Sequence, residues 1–455
     1  MHHDNRTNVQ ALDRAHLIHS LHNVRLQDGA HVWTAGRGAV LVDHTGREFL
    51  DALAGLWNVV IGHGRAELGP VAARQMSRLA YASTYAGSTN GPAVELAARL
   101  ADLCYPGINR FFFTSGGAEA NESAFKTARY YWKMAGRPER YKIIGRTWGY
   151  HGTTLAAMSA TGIKSYWPMF EPRVPGFPII ESPYPYRFDS EAHRRPGDDR
   201  TPGQMAADLL EEAIVREGAD TVAAFFGEPI QGAGGVIVPP DDYWPRIREI
   251  CDRHDILLIT DEVITGFGRT GDWFGLSRWG VESDIVTFAK AVTSGYFPLG
   301  GIGTSDRIAA AIDAGEGETT WMHAFTYSGH PVGCAVALAN LDIIQREGLV
   351  QRAAELGARL NTGLRTLAAH PHVGDVRGLG LMAAVELVAD TATKQEFPPE
   401  EHVGARVHAA TQQRGMFTRL RGDVYNFGPA FVVTERQLDR MVQILADSIT
   451  EILGE

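Results

Sequence analysis

Short, unbroken apolar runs alternate with helical stretches through the middle of this chain, and that alternation narrows the fold more than any other feature. The runs are Arg110-Phe-Phe-Phe-Thr114, Lys142-Ile-Ile-Gly145, Val222-Ala-Ala-Phe-Phe226, Leu257-Leu-Ile-Thr260 and Ile285-Val-Thr-Phe288. A run that is apolar at consecutive positions is buried on both faces, as in a parallel sheet covered by helices. An α/β domain with a mostly parallel sheet is therefore expected over 66–330, opening with a helix from about 66 that carries Val71, Met76 and Leu79 on one side. Ahead of it, 1–35 reads as mainly helical. Ala39-Val-Leu-Val-Asp43, a His-Thr-Gly turn and Arg47-Glu-Phe-Leu-Asp51 then read as a hairpin. Beyond 331 a long helix and strands near Met382–Leu387 and Tyr425–Val433 suggest a smaller α+β domain over 331–455, to which segment 1–65 returns. The Pro/Gly-rich stretch 181–204, centred on Arg194-Arg-Pro-Gly-Asp-Asp-Arg200, reads as a surface loop.

Composition excludes several function classes. A net charge of -10 over 455 residues argues against nucleic acid or an anionic membrane as the main partner. No apolar run approaches the ~20 residues of a membrane span. Met1-His-His-Asp shows no signal-peptide core, and three scattered cysteines without a CxxC pair suit reduced thiols. The expected location is cytoplasmic.

Two of the buried runs end on residues that can do chemistry. Ile256-Leu-Leu-Ile-Thr260 runs into Asp261, and about 30 residues later Asp284-Ile-Val-Thr-Phe-Ala runs into Lys290. Pyridoxal phosphate needs an amine to hold its aldehyde and a carboxylate to keep its ring nitrogen protonated. Burial lowers a lysine pKa and so favours that amine chemistry. Taken alone, the pair also reads as an ordinary buried ion pair. Thr114-Ser-Gly-Gly-Ala-Glu-Ala-Asn-Glu-Ser-Ala-Phe-Lys-Thr-Ala-Arg129 is a strand end, a glycine turn and a helix start. Free N–H groups and the helix dipole make such a place suited to phosphate, although a plain connection has the same pattern. Neither a Walker loop nor a complete GxGxxG is present.

Six ordered motifs carry a resemblance that extends over roughly 30–445. They are SGGAEANESAFKTAR (115–129), GYHG (149–152), EPIQGAGGVIVPP (228–240), LLITDEVITGFGRTG (257–271), FAKAVTSGYFPLG (288–300) and FTYSGHPVGCA (325–335). Their order and spacing resemble the class III, fold-type-I pyridoxal-phosphate aminotransferases. Gly55-Leu-Trp-Asn58 and Arg419 resemble the ω-transaminase group, which acts between amines or β-alanine and pyruvate. The resemblance implies the catalytic lysine at Lys290 and the ring-nitrogen partner at Asp261. It puts Val263 on one ring face, Tyr150 on the other, and His151 and Glu228 beside them. Gly116, Gly117 and Ala118 match the phosphate cup, with Gly or Ala where many relatives carry serine. Thr326, after Phe325, matches a threonine that reaches the phosphate of the neighbouring subunit. The implied assembly is thus a homodimer with shared sites, and two dimers could associate further.

The same resemblance assigns Leu56, Trp57, Tyr85, Ala86, Tyr150, Gly227 and Arg419 to the substrate pocket. Ala86 would stand where some relatives carry phenylalanine. Arg419 could hold a keto-acid carboxylate bidentately, with Glu228 as its natural pairing partner. The aromatics also read as core, and Arg419 as a surface arginine beside Arg421. The expected activity is ping-pong transamination between an amine, or ω-/β-amino acid, and pyruvate or a similar keto acid. Taurine or diamine donors remain open, as do aminomutase, racemase or decarboxylase chemistry on the same cofactor. A non-catalytic or nucleotide-binding α/β protein is the reading from another class. His16, His19 and His22, three apart, drift around a helix and suit a half-exposed face better than a metal site.

Overall fold

In the computed structural model, which describes residues 6–24, 30–194 and 196–455, the apolar runs become the central sheet. Its strands are β4 (Ile108–Thr114), β5 (Lys142–Arg146), β6 (Ile179–Ile180), β7 (Val222–Gly227), β8 (Leu257–Asp261), β9 (Ile285–Phe288) and β10 (Gly300–Ser305). The order is β4-β10-β9-β8-β7-β5-β6. β10 is antiparallel to both β4 and β9, while β9, β8, β7, β5 and β6 pair in parallel. Six strands therefore run one way, and the sheet is mostly parallel. β7, β8 and β9 are buried at every position because helices cover both faces. On one face the Gly117–Met134 helix seats Phe125 and Trp132 with Ile143, Phe226, Ile259 and Ile285. On the other, Leu210, Ile214, Trp244 and Ile247 pack against Leu258 and Val286.

The two ends of the chain meet. Strands β1 (Trp33–Arg37), β2 (Val40–Asp43) and β3 (Glu48–Asp51) form an antiparallel meander that β13 (Met416–Phe417) extends in parallel with β3. A second small sheet orders β11 (Val373–Leu379), β12 (Met382–Leu387), β15 (Val424–Phe427) and β14 (Arg419–Arg421). No helix among the described residues is long and apolar enough to cross a membrane.

Several local expectations need correction. Within 1–35 the main helix is Arg6–His16, and Trp33 already starts β1; 1–5 and 25–29 lie outside the described residues. Because the helix stops at His16, the three histidines share no helical face, and His19 Nε2 instead lies 2.9 Å from Asp13. The strand expected to run to Val433 stops at Phe427. Pro429 cannot donate to a ladder, and the Gly428 and Phe431 N–H groups bond Ala52 and Val60 in the N-terminal turn. The loop expected to 204 ends at Thr201, whose side chain and that of Gln204 form a capping box ahead of Pro202; Arg195 within that loop lies outside the described residues.

Candidate active site

Ligand-binding groups in open parallel sheets gather beyond the carboxyl ends of the strands. Here β4 leads into the Gly116 turn, β5 into 147–152, β7 into Glu228, β8 into Asp261 and Val263, and β9 into Lys290. The β8–β9 register pairs Asp261 with Thr287, which leaves Lys290 three residues further on. Lys290 sits at φ 47°, a left-handed conformation that costs a non-glycine residue about 1–3 kcal/mol and clusters at functional sites.

Asp261 is nearly inaccessible, and its charge is met by hydrogen bonds. Its Oδ2 accepts from Asn121 Nδ2 at 3.0 Å and lies 2.8 Å from His151 Nδ1, so an ionised carboxylate requires the hydrogen on Nδ1. Its Oδ1 accepts from the Val263 N–H at 3.1 Å. The adjacent Glu262 points to the opposite face, as alternation along a strand demands. There it is satisfied by Tyr105, Thr265 and the Gly275 and Leu276 N–H groups.

The Lys290 side-chain amine makes no hydrogen bond or ion pair among the described residues. Burial lowers its pKa to about 8, against the opposing pull of Asp261 and Glu228. Glu228 is buried and accepts from the Tyr150 and Gly232 N–H groups at 3.1 and 2.9 Å. Burial raises its pKa to about 7. The expected pairing of Glu228 with Arg419 is not formed. Backbone donors take the glutamate, while the Arg419 guanidinium stands exposed on β14 without a hydrogen bond or ion pair among the described residues. Its charge is felt instead by Tyr150 and Tyr166, whose rings lie 5.4 Å apart and whose pKa values burial raises.

The glycine turn fits a phosphate. No side chain caps the Gly117–Met134 helix, so its first-turn N–H groups have no intrahelical partner. A Cβ on Gly117 would lie 3.0 Å from Val263 Cγ1, which puts Val263 against the cup, whereas Gly116 faces open space. Ala118 packs beside Gly152. An open set of backbone donors, a partner-free amine and a buried carboxylate thus lie around Val263 and Tyr150. That donor set suits a phosphorylated pyridine aldehyde.

The remaining expected residues spread more widely. Gly227 closes β7 against the Arg146 guanidinium, which donates to the Glu228 carbonyl. Trp57 is buried at φ 65° against Gly428, while Leu56 is half exposed. Tyr85, Ala86 and Thr326 all lie on an exposed ledge, in which Tyr81 and Thr84 bond the Thr326 and Ser328 carbonyls at 2.6 and 3.0 Å. Phe325 packs its ring near Phe112 and His323. Sequence reasoning missed Asn121. Its signal was a lone amide on a buried helical stripe of Ala120, Ala124, Phe125 and Ala128.

The model of the aminotransferase class-III family matches residues 24–449. The chain belongs to the class III aminotransferases. It is 40% identical over 446 residues to the diaminobutyrate–2-oxoglutarate transaminase of Halomonas elongata, covering 96% of this chain and 95% of that protein. With the putrescine–pyruvate aminotransferase of Pseudomonas aeruginosa the identity is 41%, over 96% of this chain and 94% of that one. Among solved structures, an (S)-enantioselective omega-transaminase from Thermomicrobium roseum superposes with a TM-score of 0.93 at 48% identity, covering 98% and 99% of the two chains. Enzymes of this class depend on pyridoxal phosphate, which agrees with the donor set above.

The depressed lysine pKa gives a test. The rate at which the cofactor-free aminotransferase captures pyridoxal phosphate should rise with pH through about 8 and then level off. Stopped-flow absorbance measures it. A rise centred near the ordinary value of about 10.4 would mean that the amine is not enclosed.

Proposed function

We propose that this class III aminotransferase transfers an amino group from a primary amine, or an ω- or β-amino acid, to pyruvate or a similar keto acid, in two half-reactions. The observation that carries the reading is Arg419, unpaired and exposed beside Tyr150, within reach of a substrate carboxylate yet bound to nothing that would keep it there. An arginine fork takes a keto-acid carboxylate bidentately. When the donor is a simple amine, the same side chain is free to turn to solvent. The bound cofactor supplies an electrophilic aldehyde and an electron sink for the carbanion.

The chain's own residues then have separate tasks. Lys290, neutral above about pH 8, takes the proton from the substrate carbon that bears nitrogen. Asp261 Oδ1, with only the Val263 N–H upon it, retains capacity to accept a ring N–H, while Oδ2 is fully engaged. Gly116, Gly117 and Ala118 hold the phosphate through backbone N–H groups. Val263 and Tyr150 confine the ring, with His151 and Glu228 behind them. Leu56, Trp57, Tyr85, Ala86 and Gly227 shape the donor pocket. In an omega transaminase of Pseudomonas jessenii, a tryptophan, a phenylalanine and an arginine were changed together to synthesise bulky amines. That tryptophan and phenylalanine stand as far apart in sequence as Trp57 and Tyr85, which favours Tyr85 over Ala86 as the pocket aromatic. A diamine donor is favoured next, because the putrescine–pyruvate relative matches nearly full length.

Assembly follows from the exposed ledge. Met76, Tyr81, Tyr85, Val94, Met322 and Tyr327 leave large apolar surface in water around Thr326. A second copy covers it and brings its own Phe325–Thr326 strap to this cup. Cytoplasmic location fits this reading.

A donor panel with pyruvate, comparing arylalkyl amines, β-alanine, taurine and putrescine, identifies the donor class. Arg419→Ala should raise the KM for pyruvate on the order of tenfold or more, with little change for a carboxylate-free amine. An unchanged pyruvate KM removes Arg419 from the acceptor site. Light scattering in solution should return twice the chain mass of 49.6 kDa or a multiple of that; a monomer that turns over substrate contradicts the shared site.

A further inference from the structure

Asn121 lies in the second turn of the cup helix and is almost wholly buried. Its single Nδ2 makes two bonds: to Asp261 Oδ2 at 3.0 Å and to the His151 carbonyl at 2.7 Å. Its Oδ1 is buried without a partner. That unpaired oxygen offsets part of what the two bonds contribute, so the amide is held here for its two donors. The two acceptors say what those donors serve. One is the carboxylate expected to face the cofactor ring, and the other is the backbone of the turn that carries Tyr150 and His151. The same helix presents the free N–H groups of the cup at its start.

We propose that Asn121 is a positioning residue that ties the phosphate cup to Asp261, fixing the carboxylate so that Oδ1 alone is left for the ring nitrogen. The proposal rests on the reading of Asp261 as the ring-nitrogen partner. The rigidity comes from chemistry specific to an amide. Asn121 Nδ2 and His151 Nδ1 saturate Oδ2 from two directions, and the Val263 N–H holds Oδ1 from the third. Leucine would fill the space but leave Oδ2 with His151 alone, and the carboxylate held by two donors instead of three. Aspartate would place a second acid against Asp261, and it could replace the amide only when protonated. The titratable groups facing Asp261 are His151, Lys290, Glu228 and Tyr150.

The experiment measures cofactor affinity of the cofactor-free enzyme by equilibrium titration between pH 6 and 9, with apo melting temperature as the control for folding. Asn121→Ala and Asn121→Leu should still fold and melt cooperatively without cofactor, and should weaken pyridoxal phosphate binding on the order of tenfold or more. Asn121→Asp should bind nearly as wild type at the acid end and lose affinity progressively as pH rises, a trend wild type does not show. A purely structural asparagine would lower the melting temperature while leaving cofactor affinity as in wild type at every pH, and that result overturns the proposal. Asp261→Asn is run in parallel. If it leaves the bound-cofactor absorbance and affinity unchanged, the reading of Asp261 itself fails. If Asp261→Asn is impaired while the Asn121 variants match wild type, only the role of Asn121 fails.

Discussion

Two adjacent parallel strands hold a carboxylate and an amine near each other without letting them pair, and the rest of the site depends on that separation. Asp261 ends β8, and Lys290 follows β9 in a left-handed turn. The lysine feels the carboxylate's charge, but no ion pair forms between them. A contact pair would use up both groups. Instead Asp261 is satisfied by an amide, an imidazole and a backbone N–H, so burying its charge does not require the lysine. Lys290 is left as a partner-free amine whose pKa burial has brought near neutrality.

The sheet makes this arrangement possible because six of its seven strands share one direction. Their carboxyl ends collect the cup, the Tyr150 turn, Glu228, Asp261 and Lys290 from segments far apart in sequence. β10, the one antiparallel strand, lies between β4 and β9 and lets the cup join the lysine strand. Its glycines permit this: a Cβ on Gly300 would come within 2.9 Å of the Gly116 backbone. The two small sheets bring in the remaining pieces. β14 carries Arg419 toward Tyr150, and the turn after β3 carries Trp57.

Much of this was legible in the sequence because it rests on local pattern. Unbroken apolar runs imply strands buried on both sides, and the glycine turn before a helix implies free N–H groups. What sequence did not yield is the long-range pairing of polar groups. The resemblance pairs Glu228 with Arg419, yet the Tyr150 and Gly232 backbone amides reach it first. Asn121 passed as one more helical residue, since only the fold shows that its stripe faces Asp261. The strand β10 was hidden altogether, because Gly300-Gly-Ile-Gly-Thr-Ser305 is too rich in glycine to read as an apolar run. Thr326 and Tyr85 show the remaining limit: in a single chain they face solvent, and the place proposed for them rests on a second copy.

The central claim is that one lysine, held apart from its neighbouring carboxylate, is the amine that holds the cofactor. Reducing the cofactor-loaded enzyme with borohydride and mapping the label by peptide mass spectrometry tests it most directly. The account predicts one pyridoxyl phosphate per chain, on the peptide that contains Lys290. A stoichiometric label on another lysine, such as Lys126 or Lys164, would contradict it.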